Sequence, residues 1–204
     1  IRLGHASREM AHLERLGLLP HSAGRLDQTR IMPRIRDIVR EAHEKDLPET
    51  FEAIGIRMIP AQASFLDAHR IRAGEETLSA RRFVVAAGTT PFIPDIPGLA
   101  GIDYLTNETL YRLETLPRSL IILGGGVDGL EYASAFGRLG VETTVVEMAA
   151  GLLPMADGEL VDRLLEILRS EGIRLLAGTR AVSLAGRAGE VALTVEKQGG
   201  TREE

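Results

Sequence analysis

Gly124, Gly126 and Gly129 stand at the spacing G-x-G-x-x-G, and a carboxylate, Glu147, follows 23 residues after the first of them. With 22 glycines among 204 residues the spacing alone carries little, and its surroundings give it meaning. An apolar run, residues 120–123, leads directly into Gly124, and helix-forming residues follow Gly129. In that setting each position has a physical task. Gly124 permits a tight turn. Gly126 lets the backbone approach a pyrophosphate with no Cβ in the way, and Gly129 allows a helix to pack closely on a strand. The helix N-terminus then offers free N–H groups and a partial positive charge to phosphate. Glu147, ending the next strand, can accept hydrogen bonds from both ribose hydroxyls of an adenosine. The chemistry is recognition of a dinucleotide; the plain alternative is a glycine-rich β-α turn in some other parallel sheet.

The elements that must hold this turn are legible around it. From Ser119 the rhythm is β-α-β-α-β: strand 120–123, helix 129–139, strand 142–147, helix 159–170 and strand 173–176. Asp157 is a natural N-cap for the second helix, Leu160, Leu164 and Leu168 its expected core face, and Gly172 follows its end. Val182 and Leu184 alternate against Val191, Leu193 and Val195 around a Gly-rich turn, which predicts a hairpin. Upstream, residues 2–17 read as a helix with Leu3, Ala6, Met10 and Leu13 on one face and Gly17 as the stop. After a loop over 18–25, a second helix starts near Asp27 and tolerates Pro33 only in its first turn, with Ile35, Ile38, Val39 and Ala42 as its buried stripe. Gly55 closes a short helical stretch after Pro48. Strands are then expected over 56–65, with short edge pieces at 68–71 and 77–80 and a compact buried strand at 82–87. Prolines 91, 94 and 97 mark an extended linker, residues 106–116 look like a short helix, and Pro117 opens a new unit.

Composition narrows the function. A hydrophobic fraction of 44% with 26% charged residues describes an ordinary globular chain with one large or two small domains. A net charge of −5 and scarce aromatics give no basis for nucleic-acid binding, and no apolar run approaches the roughly 18 residues of a membrane span. No signal-peptide pattern opens the chain, so a cytoplasmic location is expected. There is no cysteine, hence no disulfide, thiolate zinc site, iron–sulfur cluster or cysteine nucleophile in this chain. His5 and His12 share a helix face without a third ligand nearby, so no metal site is expected.

Several runs together resemble the pyridine nucleotide–disulfide oxidoreductases. TNETLYRLETLPRSLIILGGGVDGLEYASAFGRLGVETTVVE is similar to the entry of that family's NAD domain, FVVAAGTTPFIPDIPG to its second flavin contact, and AQASFLD to the strand that meets the flavin's adenine. The resemblance implies an α/β fold: the remainder of an FAD-binding domain with linker over residues 1–116, then a Rossmann-like NAD-binding domain over 117–204, three-layered, with a parallel sheet and a β-meander. It implies that Ala63 meets the FAD adenine and that Ala87, Gly88 and Thr89 line the FAD. Gly124, Gly125, Gly126, Val127, Asp128, Gly129, Leu130 and Glu131 would hold NAD, Glu131 reaching toward the nicotinamide end, with Glu147 on the ribose and Ala181 beside the NAD adenine. Two departures stand out: Ala87 replaces a usual threonine, and Asp128 puts a carboxylate inside the glycine loop.

The family's redox cysteine pair, its first flavin G-x-G-x-x-G and its His–Glu acid/base pair have no counterpart here, so no catalytic residue is assigned within the chain. The helix that opens the chain resembles the one following that cysteine pair. The implied whole protein is a flavoprotein, homodimeric, carrying hydride from NADH through FAD to a disulfide or similar small-molecule acceptor. The 204 residues alone are expected not to turn over. A non-catalytic dinucleotide-binding or redox-sensing module is the rival, and a flavin reductase with another acceptor a third reading. NADH is favoured over NADPH because residues 148–153, following Glu147, include no cation to answer a 2′-phosphate; Arg180 comes only later.

Overall fold

The structure, a computed structural model, describes residues 1–16, 18, 26–187 and 189–203. Gly17 and most of the 18–25 loop lie outside the described residues. The chain divides into two compact units, residues 34–92 and residues 1–33 with 93–204.

The first helix, α1 (Arg2–Arg15), belongs to the larger unit; α2 (Gln28–Lys45) runs across the division between the units. Asp27 accepts from the backbone N–H of Thr29 at 3.1 Å and fixes the start of α2. Pro33 sits in the second turn of α2 rather than the first, so the Thr29 carbonyl forgoes its helical donor. The buried residues of α2 are Ile31 and Met32; Ile38 and Ala42 are exposed and Ile35 and Val39 only half-buried, so the expected stripe is displaced toward the N-terminus.

The smaller unit holds α3 (Pro48–Glu52) and an antiparallel sheet of β1 (Ala63–Asp67), β2 (Arg70–Ala73) and β3 (Glu76–Ser79) in sequence order. Asp67 makes the β1–β2 turn by accepting from the His69 N–H at 2.8 Å and from Arg70 Nε at 2.6 Å. Residues 56–62 are not strand, so the expected 56–65 element begins only at Ala63. Residues 82–87 form no strand either: Val84 is 93% and Val85 72% exposed. A buried strand needs partner edges for its N–H and C=O groups, and the three strands of this unit pair only with one another.

In the larger unit β4 (Ser119–Leu123), β5 (Glu142–Val146) and β6 (Arg174–Leu176) form a parallel sheet in that order. The crossovers are α4 (Val127–Arg138) and α5 (Gly158–Ser170). Strand alternation sends Ile122, Val145 and Leu175 to one face, where they pack with Leu130 and Ala133 of α4 and Val161, Leu165 and Leu168 of α5. The other face presents Val146 and Leu176 to Leu193 and Val195 of a three-stranded antiparallel sheet, β7 (Thr179–Arg187), β8 (Glu190–Lys197) and β9 (Arg202–Glu203). The α/β expectation, with three layers and a meander, holds. On α5 the packed stripe is Val161, Leu165 and Leu168; Leu160 is 71% exposed and Leu164 lies outside the core. Two apolar stripes lie one residue apart on this helix, and contact with the sheet selects between them.

Residues 106–116 make only a 3₁₀ turn at Leu110–Arg112 instead of the expected helix. The Thr109 hydroxyl accepts from the Thr106 N–H at 2.8 Å, a local bond that competes with helix formation. Leu110, Leu113 and Leu116, three apart, then pack on Phe136 and Val141. Behind α4, α1 sets Gly4 against the Ala135 backbone, where a Cβ would stand 3.0 Å from a carbonyl oxygen. Glu171 ties the corner together, bridging Arg138 at 2.8 Å and Arg8 at 2.9 Å.

Candidate dinucleotide site

The turn after β4 is built by backbone bonds at both ends. Gly124 N–H donates to the Val146 carbonyl at 2.9 Å, extending the parallel ladder, and its φ of +112° then turns the chain as a side chain would resist. Gly126 is the N-cap of α4, and no side chain caps this helix. The Leu130 N–H closes the first helical bond on the Gly126 carbonyl, so the N–H groups of Val127, Asp128 and Gly129 precede the helical ladder. The other crossover helix differs: Asp157 accepts from the N–H groups of Glu159 at 3.1 Å and Leu160 at 3.3 Å. The start of α5 is capped by a side chain, and the start of α4 is not.

The glycines divide the work. A Cβ on Gly129 would stand 2.1 Å from the Gly124 carbonyl oxygen, so the helix reaches the strand end only without one. A Cβ on Gly126 would meet nothing within 4 Å, which leaves open space where a diphosphate would pass. Glu147 is half-buried at the end of β5, one oxygen accepting from the Gly125 N–H at 2.7 Å and the other from the Ala149 N–H at 2.6 Å. Its carboxylate is thus fixed beside the glycine turn, with lone pairs left for further donors. Asp128 is exposed in the first turn of α4 and makes no capping bond; Val127 and Glu131 are exposed and Leu130 is buried.

Ala181, on β7, packs against the cluster containing Val146, the residue before Glu147. The Thr179 N–H donates to the Glu147 carbonyl at 2.9 Å, which ties the start of β7 to the same corner. The larger unit therefore gathers residues 124–131, Glu147 and Ala181. Ala63, Ala87, Gly88 and Thr89 belong to the smaller unit, all exposed, Ala63 opening β1 and Gly88 at a φ of +70°. Ala63, Ala87 and Gly88 can offer only backbone groups, and Thr89 adds a hydroxyl.

Sequence reasoning missed Leu152 and Leu153, which fold back onto Gly125: Leu152 is buried, and the Leu153 N–H donates to the Gly125 carbonyl at 3.3 Å. An apolar pair directly after Gly151, in an otherwise loop-like stretch, was the available signal. Tyr132, one turn into α4, was also missed; burial first, then the neighbouring Tyr111, push its hydroxyl up to about 12. Among the described residues no cluster could hold a metal ion, and no helix is long and apolar enough to cross a membrane.

The class that this fold and turn define is an α/β protein of the dinucleotide-binding kind. The family described as pyridine nucleotide-disulphide oxidoreductase matches residues 18–204, and the chain belongs to it. It is 32% identical over 187 residues to mercuric reductase of Lysinibacillus sphaericus, covering 91% of this chain and 34% of that protein. A dihydrolipoyl dehydrogenase of Bacillus subtilis is 28% identical over 200 residues, 96% of this chain and 43% of the relative. The crystal structure of LpdA from Mycobacterium tuberculosis superimposes with a TM-score of 0.70 at 26% identity, covering 99% of this chain and 45% of that one. The chain spans less than half the length of each of these relatives.

Proposed function

We propose that the whole protein is a flavoprotein oxidoreductase that takes hydride from NADH and passes electrons through FAD to a disulfide or similar acceptor. The observation that carries this reading is the uncapped start of α4 beside a carboxylate held at the end of β5. The N–H groups of Val127 and Asp128 would orient the diphosphate, Gly126 leaves it room, and Glu147 would accept from the adenosine ribose. Glu131 would reach toward the nicotinamide end, and Ala181 would flank the NAD adenine. Ala63, Ala87, Gly88 and Thr89 would supply the FAD contacts of this chain. When bound, the two cofactors supply the redox chemistry, and the protein supplies binding and alignment. A homodimer resident in the cytoplasm belongs to the same reading.

The test is anaerobic mixing of the full-length flavoprotein with NADH, followed by addition of disulfide acceptors. Bleaching of the flavin by NADH and recovery with a disulfide are expected. NADH binding without flavin reduction would favour the non-catalytic module, and no NADH binding would overturn the assignment.

A further inference from the structure

The contacts around Gly125 carry a role for a segment that the dinucleotide motif does not include. Its N–H is taken by Glu147 at 2.7 Å and its carbonyl by the Leu153 N–H at 3.3 Å. Its Cα lies against Leu152, whose Cδ2 would stand 2.2 Å from a Cβ added there, with the Glu147 Cβ at 3.1 Å. Leu152 is itself rooted in the core that joins α4, β5 and α5. Leu153 delivers its N–H from a φ of +49°, the left-handed region that a leucine rarely adopts. Strain of this kind persists where the surrounding structure imposes it.

We infer that Leu152 and Leu153 are positioning residues for dinucleotide binding, closing the 147–153 turn over Gly125 as a clasp. The inference rests on the nucleotide reading above. Because the Gly125 N–H is taken by Glu147, that residue has no donor to offer a diphosphate. The diphosphate is left to the N–H groups that follow, those of Val127 and Asp128, and the clasp sets their direction before the ligand arrives. Binding then avoids the cost of ordering the loop.

The test uses the full chain titrated with NADH, ADP and adenosine. Gly125→Ala should weaken NADH and ADP by about tenfold, the scale of overpacking one methyl in a tight site. Adenosine, lacking the diphosphate, should lose far less. Leu152→Val removes the obstructing Cδ2 with little cavity, so Gly125→Ala/Leu152→Val should regain most of the loss. Leu153→Pro, which lacks the N–H and cannot take a φ of +49°, should lose NADH affinity. Normal NADH binding by Gly125→Ala, or by Leu153→Pro with the fold intact by circular dichroism, would overturn the clasp. Failure of the unaltered chain to bind NADH would overturn the nucleotide reading instead.

Discussion

Gly129 stands so close over Gly124 that a side chain on it would meet the Gly124 carbonyl oxygen at 2.1 Å, while the neighbouring Gly126 faces open space. The two glycines should therefore fail differently. Gly129→Ala must push α4 away from β4, and a stability loss of about 1–3 kcal/mol is expected. Gly126→Ala meets nothing in the protein and should leave stability within about 0.5 kcal/mol, as at an unobstructed site. It should nonetheless weaken NADH, because its methyl group enters the diphosphate's path. Urea denaturation paired with calorimetric titration separates the two, and equal effects on stability would contradict the assigned roles.

Asp157 caps α5 through two backbone N–H groups. Asp157→Ala should cost about 1 kcal/mol of stability, the usual worth of such a cap. It should leave NADH affinity unchanged, since the Asp157 side chain bonds only the first N–H groups of α5. A comparable loss of NADH affinity in that variant would show α5 to be part of the site.

Asp128 places an exposed carboxylate in the first turn of a helix with no side-chain cap, where the proposed diphosphate would bind. It does not cap the helix, so nothing offsets its repulsion of phosphate. Asp128→Ile should tighten NADH binding by about 1 kcal/mol, the interaction of unit charges a few ångströms apart in a wet site. Unchanged or weaker binding on titration calorimetry counts against this.

Cofactor choice should favour NADH. A 2′-phosphate would set about −1.5 to −2 charges against the Glu147 carboxylate, as phosphate monoesters carry near neutral pH. Arg180, the later cation, is already paired with Glu196 across the β7–β8 ladder and shares it with Arg202. These two guanidiniums hold the Glu196 carboxyl below its ordinary range, Arg180 most of all. At one ionic strength NADH should bind more tightly than NADPH, and Glu147→Ala should narrow the gap while weakening both, because Gly125 loses its anchor. Equal affinities in the unaltered chain would refute the preference.

The 204-residue chain should hold FAD poorly. Ala63 and residues 87–89 are exposed, and the sequence contains a single G-x-G-x-x-G, already placed at Gly124. The visible spectrum of the purified, dialysed chain should show flavin well below one equivalent; a full equivalent would be decisive against it.

The sequence by itself determined the parts of this protein that local chemistry controls. The β-α-β-α-β order from residue 119, the Asp157 cap and the glycine turn were all legible, because each depends on residue type at fixed spacing. So was the β7–β8 hairpin, through the alternation of Val191, Leu193 and Val195; its packing on the sheet's second face was not. Tertiary structure decided what required a partner. The apolar residues 83–87 form no strand because strand formation needs a neighbouring edge that composition cannot reveal. The packed stripe of α5 moved from Leu160 and Leu164 to Val161 and Leu165, because both stripes are apolar and only contact with the sheet chooses. Leu152 and Leu153 escaped any motif, since their meeting with Gly125 joins turns more than 25 residues apart in the chain. Glu147 shows both sides at once: its type and position announced an acceptor, but its hold on Gly125 exists only where β4 and β5 lie side by side.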